Sequence, residues 1–93
     1  MMTISRREKY LLQAELIGRA VEIIESSNRT LVGVKGVIRD ETKNMLIIET
    51  KDGIKKVIKD QCVFAFKTQK GIIKLNGKKL VHRPEDRILK KIK

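Results

Sequence analysis

Between residues 20 and 76 the sequence alternates apolar and polar residues in six short runs, and this alternation limits the possible folds more than any other feature. A period of two places the apolar side chains of each run on one face of a β-strand. Turn-forming pairs such as Asp52-Gly53 and Asn76-Gly77 separate the runs. The pattern predicts strands near residues 20–26, 31–39, 45–50, 53–58, 62–68 and 71–76.

The short links between these runs require neighbouring strands to be antiparallel. A sheet of this size covers its apolar face best by curling into a small barrel, which also removes open strand edges. Gly33 and Gly36 lie inside the second predicted strand, and we interpret both as bend points of such a barrel. We therefore expect a mainly β, six-stranded antiparallel barrel over residues 20–76.

A helix is predicted at each end of the chain. Ser5 and Glu8 have the spacing of a capping box, which predicts a first helix over residues 5–17. Pro84 is followed by acidic residues and then by lysines, which matches the helix dipole and predicts a second helix over residues 83–92. Each helix has a narrow apolar stripe, so it must pack on the barrel or on a partner. Residues 1–93 are expected to form one domain.

Positive charge is concentrated in the second half of the chain. Of the net charge of +11, residues 51–93 carry fourteen Lys/Arg against four Asp/Glu, whereas residues 1–50 carry eight against seven. The acids are too few to neutralise these cations, and a polyanion would gain affinity through release of its condensed counterions. A nucleic acid is therefore the expected partner, and a merely solvated, thermostabilising lysine surface is the alternative.

Other classes of partner and chemistry are not indicated. Cys62 is the only cysteine and His82 the only histidine, so neither a disulfide nor a zinc site is expected. No apolar run approaches the roughly 20 residues of a membrane span, and no signal peptide precedes the first charges. We expect a cytoplasmic protein with no membrane contact, no small-molecule substrate, no metal or cofactor of its own and no catalytic residue.

The three aromatic residues bear on how a nucleic acid would be recognised. Phe64 and Phe66 alternate within the fifth predicted strand and are expected in the core, and Tyr10 belongs to the first predicted helix. Single-stranded bases are usually bound by exposed aromatic rings. The cations are therefore expected to contact the backbone and shape of a folded RNA.

Two segments strongly resemble archaeal ribonuclease P protein component 1. They are residues 30–50, TLVGVKGVIRDETKNMLIIET, and residues 77–88, GKKLVHRPEDRI; with Leu16-Ile17-Gly18 the likeness extends over residues 16–88. The resemblance implies an Sm-like or SH3-like barrel with helical extensions. It also implies a non-catalytic subunit of the ribonucleoprotein that removes the 5′ leader of precursor tRNA, with the catalytic Mg²⁺ held by the RNA. The implied partners are ribonuclease P RNA, precursor tRNA in the holoenzyme, and a small zinc-ribbon protein subunit.

The likeness does not fix individual contacts, so we chose candidates from the predicted strands and helices. The basic residues expected to contact RNA lie on the outward face of the second strand, in turns and in the basic second half. They are Arg29, Lys35, Arg39, Lys43, Lys51, Lys55, Lys56, Lys78, Lys79, His82, Arg83 and Arg87. The protein partner is expected on Leu11, Leu12, Leu16 and Ile88 of the terminal helices, with packing of these side chains on the barrel as the alternative.

Two other functions are kept as alternatives. A basic barrel can bind duplex DNA architecturally by inserting apolar wedges into the minor groove. A metal-dependent nuclease would need an acidic pair such as Asp40 and Glu41, although neighbouring carboxylates on a strand usually point apart. Equal affinity for random duplex DNA and structured RNA would favour the first alternative, and cleavage by the isolated chain would favour the second.

Overall fold

The described part of the computed structural model, residues 9, 11–12, 14–69 and 71–81, forms one sheet of six antiparallel strands. The strands are β1 (Ala20–Ser26), β2 (Lys35–Glu41), β3 (Met45–Thr50), β4 (Gly53–Ile58), β5 (Cys62–Thr68) and β6 (Gly71–Asn76). Their order in the sheet is β4-β3-β2-β1-β5-β6. Two short 3-10 turns, Arg29–Leu31 and Lys59–Gln61, connect β1 to β2 and β4 to β5, and a third, Gly77–Leu80, follows β6. The mainly β, antiparallel prediction is confirmed, and every strand except β2 has its predicted bounds.

A single apolar core lies on the inner face of the sheet. All six strands contribute to it, because every second residue of each strand points the same way. The buried apolar residues are Val21, Ile23, Ile38, Leu46, Ile48, Val57, Cys62, Phe64, Phe66, Ile73 and Leu75, together with Leu11, Leu16 and Leu80 from outside the strands. Since the two edge strands, β4 and β6, share this cluster, the sheet curls around it.

The predicted start of β2 is wrong. Residues Arg29–Leu31 form a 3-10 turn, capped by the side chain of Asn28, and the strand begins only at Lys35. Gly33 has φ of +90°, which takes the chain out of the extended conformation. Apolar alternation continues through this turn, so it gives no sign of the break. As a result Val32, within the predicted strand, is 48% exposed.

Gly36 allows β2 to approach β3 closely. A Cβ atom at this position would lie 2.0 Å from the backbone oxygen of Glu49 in β3, far inside van der Waals contact. Two residues further along, the β2–β3 register shifts between Ile38 and Asp40, which indicates a β-bulge. After this bulge Glu41 pairs with the buried Leu46 and lies on the inner face.

The first predicted helix is described only in part. The three described residues before position 13 are helical, whereas residues 14–17 are not, so the predicted end at residue 17 is wrong. Gly18 has φ of +92°, and its N–H donates a 2.7 Å hydrogen bond to the carbonyl oxygen of Ile38, which brings the chain onto the sheet before β1. The predicted start at residue 5 and the second predicted helix, residues 83–92, lie outside the described residues.

Candidate nucleic-acid interface

The 3-10 turns that follow the edge strands β4 and β6 pack against each other, and we call this contact the seam. Within the described ranges no backbone ladder joins these two strands. Instead, Lys59 at the end of β4 lies against Gly77 at the end of β6, where an added Cβ would be 1.6 Å from the Lys59 carbonyl oxygen. Glycine is therefore required at position 77 for the two turns to pack together.

Lys59 is fully buried at this seam, and its charge is compensated there. Its ammonium Nζ donates to the Glu41 carboxylate at 2.9 Å and to the backbone oxygens of Thr42 at 2.6 Å, Lys43 at 3.2 Å and Leu80 at 3.0 Å. A lysine ammonium has three N–H donors, which these acceptors occupy. Burial of a charged group is tolerated only with such partners. The sequence pattern places Lys59 in a solvated turn and gives no sign of this role.

Three of the predicted RNA-contacting lysines line one surface cleft, at the opposite end of strands β2–β4. This cleft, which we call the lysine cleft, has a volume of about 410 Å³ and contains Lys35, Lys51 and Lys55, all exposed. Lys35 begins β2, Lys51 follows β3, and Lys55 is paired with Ile48 across the β3–β4 ladder. Asp52 is the one carboxylate in its lining. The cleft therefore has an excess of positive charge in a concave site.

Three further predicted contacts lie on the two backbone segments that Lys59 joins. Lys43 is in the β2–β3 turn, and Lys78 and Lys79 belong to the third 3-10 turn; we call these three the seam lysines. Lys43 and Lys78 are exposed and Lys79 is half-buried. Lys43 lies beyond the ends of β2 and β3 that are opposite the lysine cleft. Strands of six or seven residues rise about 3.3 Å per residue, so they separate Lys43 from that cleft by roughly 20 Å.

Among the described residues, the remaining predicted RNA contacts lie in neither the lysine cleft nor the seam. Arg29 is exposed in the first 3-10 turn, and Lys56 lies on the outer face of β4, opposite Ile47. Arg39 is exposed but forms an ion pair with Glu49 of β3. His82, Arg83 and Arg87 lie outside the described residues. The expected row of Lys35 and Arg39 along one side of β2 is interrupted by the bulge and by this ion pair.

Lys67 is a cation that the candidate set omitted. It is exposed on β5 and lines a second surface groove of about 350 Å³. Lys35 borders this groove as well as the lysine cleft, and the groove also includes Val37 and Ile72. Lys67 belongs to the basic second half, so the sequence could have made it a candidate. Its position near Lys35 follows only from the antiparallel pairing of β1 with both β2 and β5.

The leucines predicted to dock a protein partner pack largely within this chain. Leu11 and Leu16 are fully buried in the core, and Leu12 is half-buried against it. Packing on the barrel was the alternative for these residues, and it describes the positions of Leu11 and Leu16. Ile88 lies outside the described residues, so docking of a partner through Leu12 and Ile88 stays a prediction.

The acidic pair considered for a nuclease does not converge on one point. The Glu41 carboxylate faces inward and binds Lys59, whereas Asp40 pairs with Ile47, is exposed and accepts a hydrogen bond from the Glu41 backbone N–H. In the part of the chain that is described, no three His, Cys, Asp or Glu side chains are grouped to hold a metal ion. Among the same residues, no helix is long and apolar enough to cross a bilayer.

Comparison with known proteins gives one consistent family. The sequence model of ribonuclease P/MRP, subunit p29, matches residues 9–90. A ribonuclease P protein component 1 of Methanocaldococcus jannaschii is 48% identical over 84 residues, which cover 89% of this chain and 88% of that protein. The Pyrococcus furiosus protein of the same name is 44% identical over 85 residues, covering 90% of this chain and 67% of that protein.

A solved structure is similar as well. It is described as a homologue of the human RNase P protein Rpp29 and superposes with a TM-score of 0.58 at 44% sequence identity. The match covers 81% of this chain and 99% of the solved one. The chain therefore shares its fold with this solved homologue of Rpp29.

Proposed function

The chain belongs to the ribonuclease P/MRP p29 family, and from this membership we propose that it is an RNA-binding protein subunit of ribonuclease P. In this proposal the RNA holds the catalytic Mg²⁺ and the chain supports the RNA while it removes the 5′ leader of precursor tRNA. The chain supplies no catalytic residue and binds no cofactor. Its contribution is to neutralise backbone charge where RNA segments come together.

The lysine cleft is the observation that supports RNA binding most strongly. Lys35, Lys51 and Lys55 surround one concave site, so a phosphate backbone lying in it would meet several ammonium groups at once. Each neutralised phosphate releases counterions, which makes the affinity dependent on salt. Because the cleft has the charge but no aromatic ring, its contacts would be to phosphate and sugar rather than to stacked bases.

The positions of the two described aromatic side chains agree with that mode of recognition, whereas Tyr10 lies outside the described residues. Phe64 and Phe66 are fully buried, as predicted, with ring centroids 5.8 Å apart in the core. Neither ring is available to stack on a base. The proposal therefore has the chain recognise the shape of a folded RNA, and not a short single-stranded sequence.

The proposed partners are ribonuclease P RNA, precursor tRNA within the holoenzyme and the small zinc-ribbon subunit. Two separated groups of lysines suit a large folded RNA, because a polyanion spanning roughly 20 Å can reach both the lysine cleft and Lys43 at the seam. For the zinc-ribbon subunit, Leu12 and Ile88 remain the proposed contacts.

Salt-dependent binding tests the proposal. Affinity for ribonuclease P RNA is measured between about 50 and 200 mM salt for the wild-type chain and for the triple variant Lys35→Gln, Lys51→Gln and Lys55→Gln. The slope of log K against log salt should fall by about 0.7–0.9 for each phosphate that the variant no longer neutralises. Lys74→Gln is the control, because Lys74 is exposed on β6 and outside the lysine cleft. It should change the slope little.

Three results would count against the proposal. A wild-type slope near zero would remove the electrostatic basis of RNA binding. Equal affinity for random duplex DNA and for ribonuclease P RNA would favour the architectural DNA-binding alternative. A triple variant with an unchanged slope would show that RNA does not bind in the lysine cleft.

A further inference from the structure

Lys59 connects parts of the chain that no strand pairing holds together in the described residues. Three of its acceptors, the Glu41 carboxylate and the backbone oxygens of Thr42 and Lys43, belong to the end of β2 and the turn after it. The fourth, the backbone oxygen of Leu80, follows β6. The Lys59 backbone N–H donates in addition to the Asn44 oxygen at 2.8 Å. One side chain thus fixes the β2–β3 turn relative to residues 77–81.

Covering the core does not require a charged residue at this position. A buried ion pair is often no more stabilising than apolar side chains of similar volume, because both charges must first lose their water. What the pair supplies in addition is direction, since each hydrogen bond requires its acceptor at a defined distance and angle. At this seam the directed contacts hold the two segments in register, as a backbone ladder does elsewhere in the sheet.

From this geometry we propose that the buried Lys59–Glu41 pair is a positioning element for RNA binding, which holds the seam lysines in one fixed arrangement. The inference rests on the proposed function, because it assigns those lysines to RNA phosphates. The carbonyl groups of Lys43 and Leu80 contact the same Nζ atom, so Lys43 and its counterparts Lys78 and Lys79 are carried on backbone whose relative position is set. Contacts arranged before binding cost less ordering when the RNA arrives.

Loss of the pair should therefore weaken the RNA contacts of the seam lysines and leave those of the lysine cleft unchanged. Lys35, Lys51 and Lys55 are held by the other ends of β2–β4, and none of the residues around the Lys59 ammonium lines that cleft. A purely structural role would instead weaken all RNA contacts together, in proportion to the fraction of unfolded chain. This difference makes the proposal measurable.

The test replaces the pair by apolar side chains of similar size, Lys59→Met with Glu41→Leu, and measures binding of ribonuclease P RNA under conditions where circular dichroism shows a folded chain. Affinity should fall about tenfold, because two lysine-bearing segments must then be ordered during binding. Lys43→Gln should weaken binding in the wild-type background and have little further effect in the Met/Leu background. Lys51→Gln should weaken binding by the same factor in both backgrounds, since it lies in the lysine cleft.

Unchanged affinity in the Met/Leu variant would overturn the positioning proposal, and so would an equal effect of Lys43→Gln in both backgrounds. If this variant does not fold, Lys59→Gln with Glu41→Gln takes its place in the same cycle, because the two amides can still hydrogen-bond to each other while the shorter side chain, with two N–H donors in place of three, no longer reaches all the acceptors of Lys59; the same two outcomes decide. Absence of salt-dependent RNA binding by the wild-type chain would instead reject the proposed function itself. The two failures are therefore distinguishable.

Discussion

The two ends of strands β2–β4 use the same residue type in opposite ways. At one end Lys55 and its two neighbours in the lysine cleft are exposed around a concave site, whereas at the other end Lys59, four residues later, is fully buried and bonded to four acceptors. Exposure leaves the charge of Lys55 available to a polyanion. The buried charge of Lys59 instead stabilises contacts within the fold. The net charge of a chain therefore overstates the charge that a partner can meet.

The largest effect on stability is expected at the buried lysine, Lys59. Lys59→Ala should lower the free energy of unfolding by about 3–5 kcal/mol, because Glu41 and three carbonyl groups lose the Lys59 ammonium as a donor inside the protein. Lys55→Ala is the matched control and should change it by less than about 0.5 kcal/mol. Urea denaturation measures both. Similar losses for the two variants would contradict the distinction.

The next effect concerns the packing of the two turns at the seam. Gly77→Ala should destabilise the chain by about 1–3 kcal/mol, because the new methyl group would collide with the backbone of Lys59 and Cys62. Lys74→Ala is the control, because Lys74 is exposed on β6 and surface substitutions usually change stability little. It should be nearly neutral in the same denaturation experiment. A neutral Gly77→Ala variant would mean that the seam is not tightly packed.

A smaller effect, on RNA affinity, is expected in the exposed lysine cleft. Asp52→Asn removes the carboxylate that lines the lysine cleft, and it should raise the affinity for ribonuclease P RNA a few-fold at low salt, with the gain absent at high salt because exposed charges are screened. Glu15→Gln, an exposed change outside the cleft lining, should have a smaller effect. Filter binding at two salt concentrations distinguishes them. Equal gains would indicate that only net charge matters.

The smallest effect is expected at the exposed ion pair of β2 and β3. Glu49→Gln removes the partner of Arg39, whose side chain is 61% exposed, and should change the free energy of unfolding by no more than about 1 kcal/mol. Thermal unfolding at low and high salt provides the measurement. A loss comparable with that of Lys59→Ala would show that exposure does not separate the two ion pairs.

The sequence predicted those parts of the fold that depend on local pattern. Strands β1 and β3–β6 follow from alternation bounded by turn residues, and their bounds agree with the structure. The start of β2 was missed because apolar residues continue through the capped turn and Gly33, where backbone conformation rather than hydropathy ends the pattern. The first helix ends before residue 14, since the chain turns to bond with Ile38, a residue distant in sequence.

The candidate site was predictable residue by residue but not as an arrangement. Lys35 was predicted from the outward face of the second strand, and Lys51 and Lys55 from the basic second half. Their common cleft depends on the register that pairs Ile48 with Lys55. Lys59 has no local feature that separates it from the other lysines. Its partners Glu41 and Leu80 are 18 and 21 residues away in the sequence, so only the folded sheet identifies it.

Reconstitution of precursor-tRNA processing tests the central claim most directly. Cleavage of the 5′ leader is measured with ribonuclease P RNA and its other protein subunits, with and without this chain, over a range of Mg²⁺ concentrations. We predict that omission lowers the rate at low Mg²⁺, and that the wild-type chain restores it while the triple Lys→Gln variant of the lysine cleft does not. Equal rates with and without the chain at low Mg²⁺ would contradict its assignment as a functional subunit.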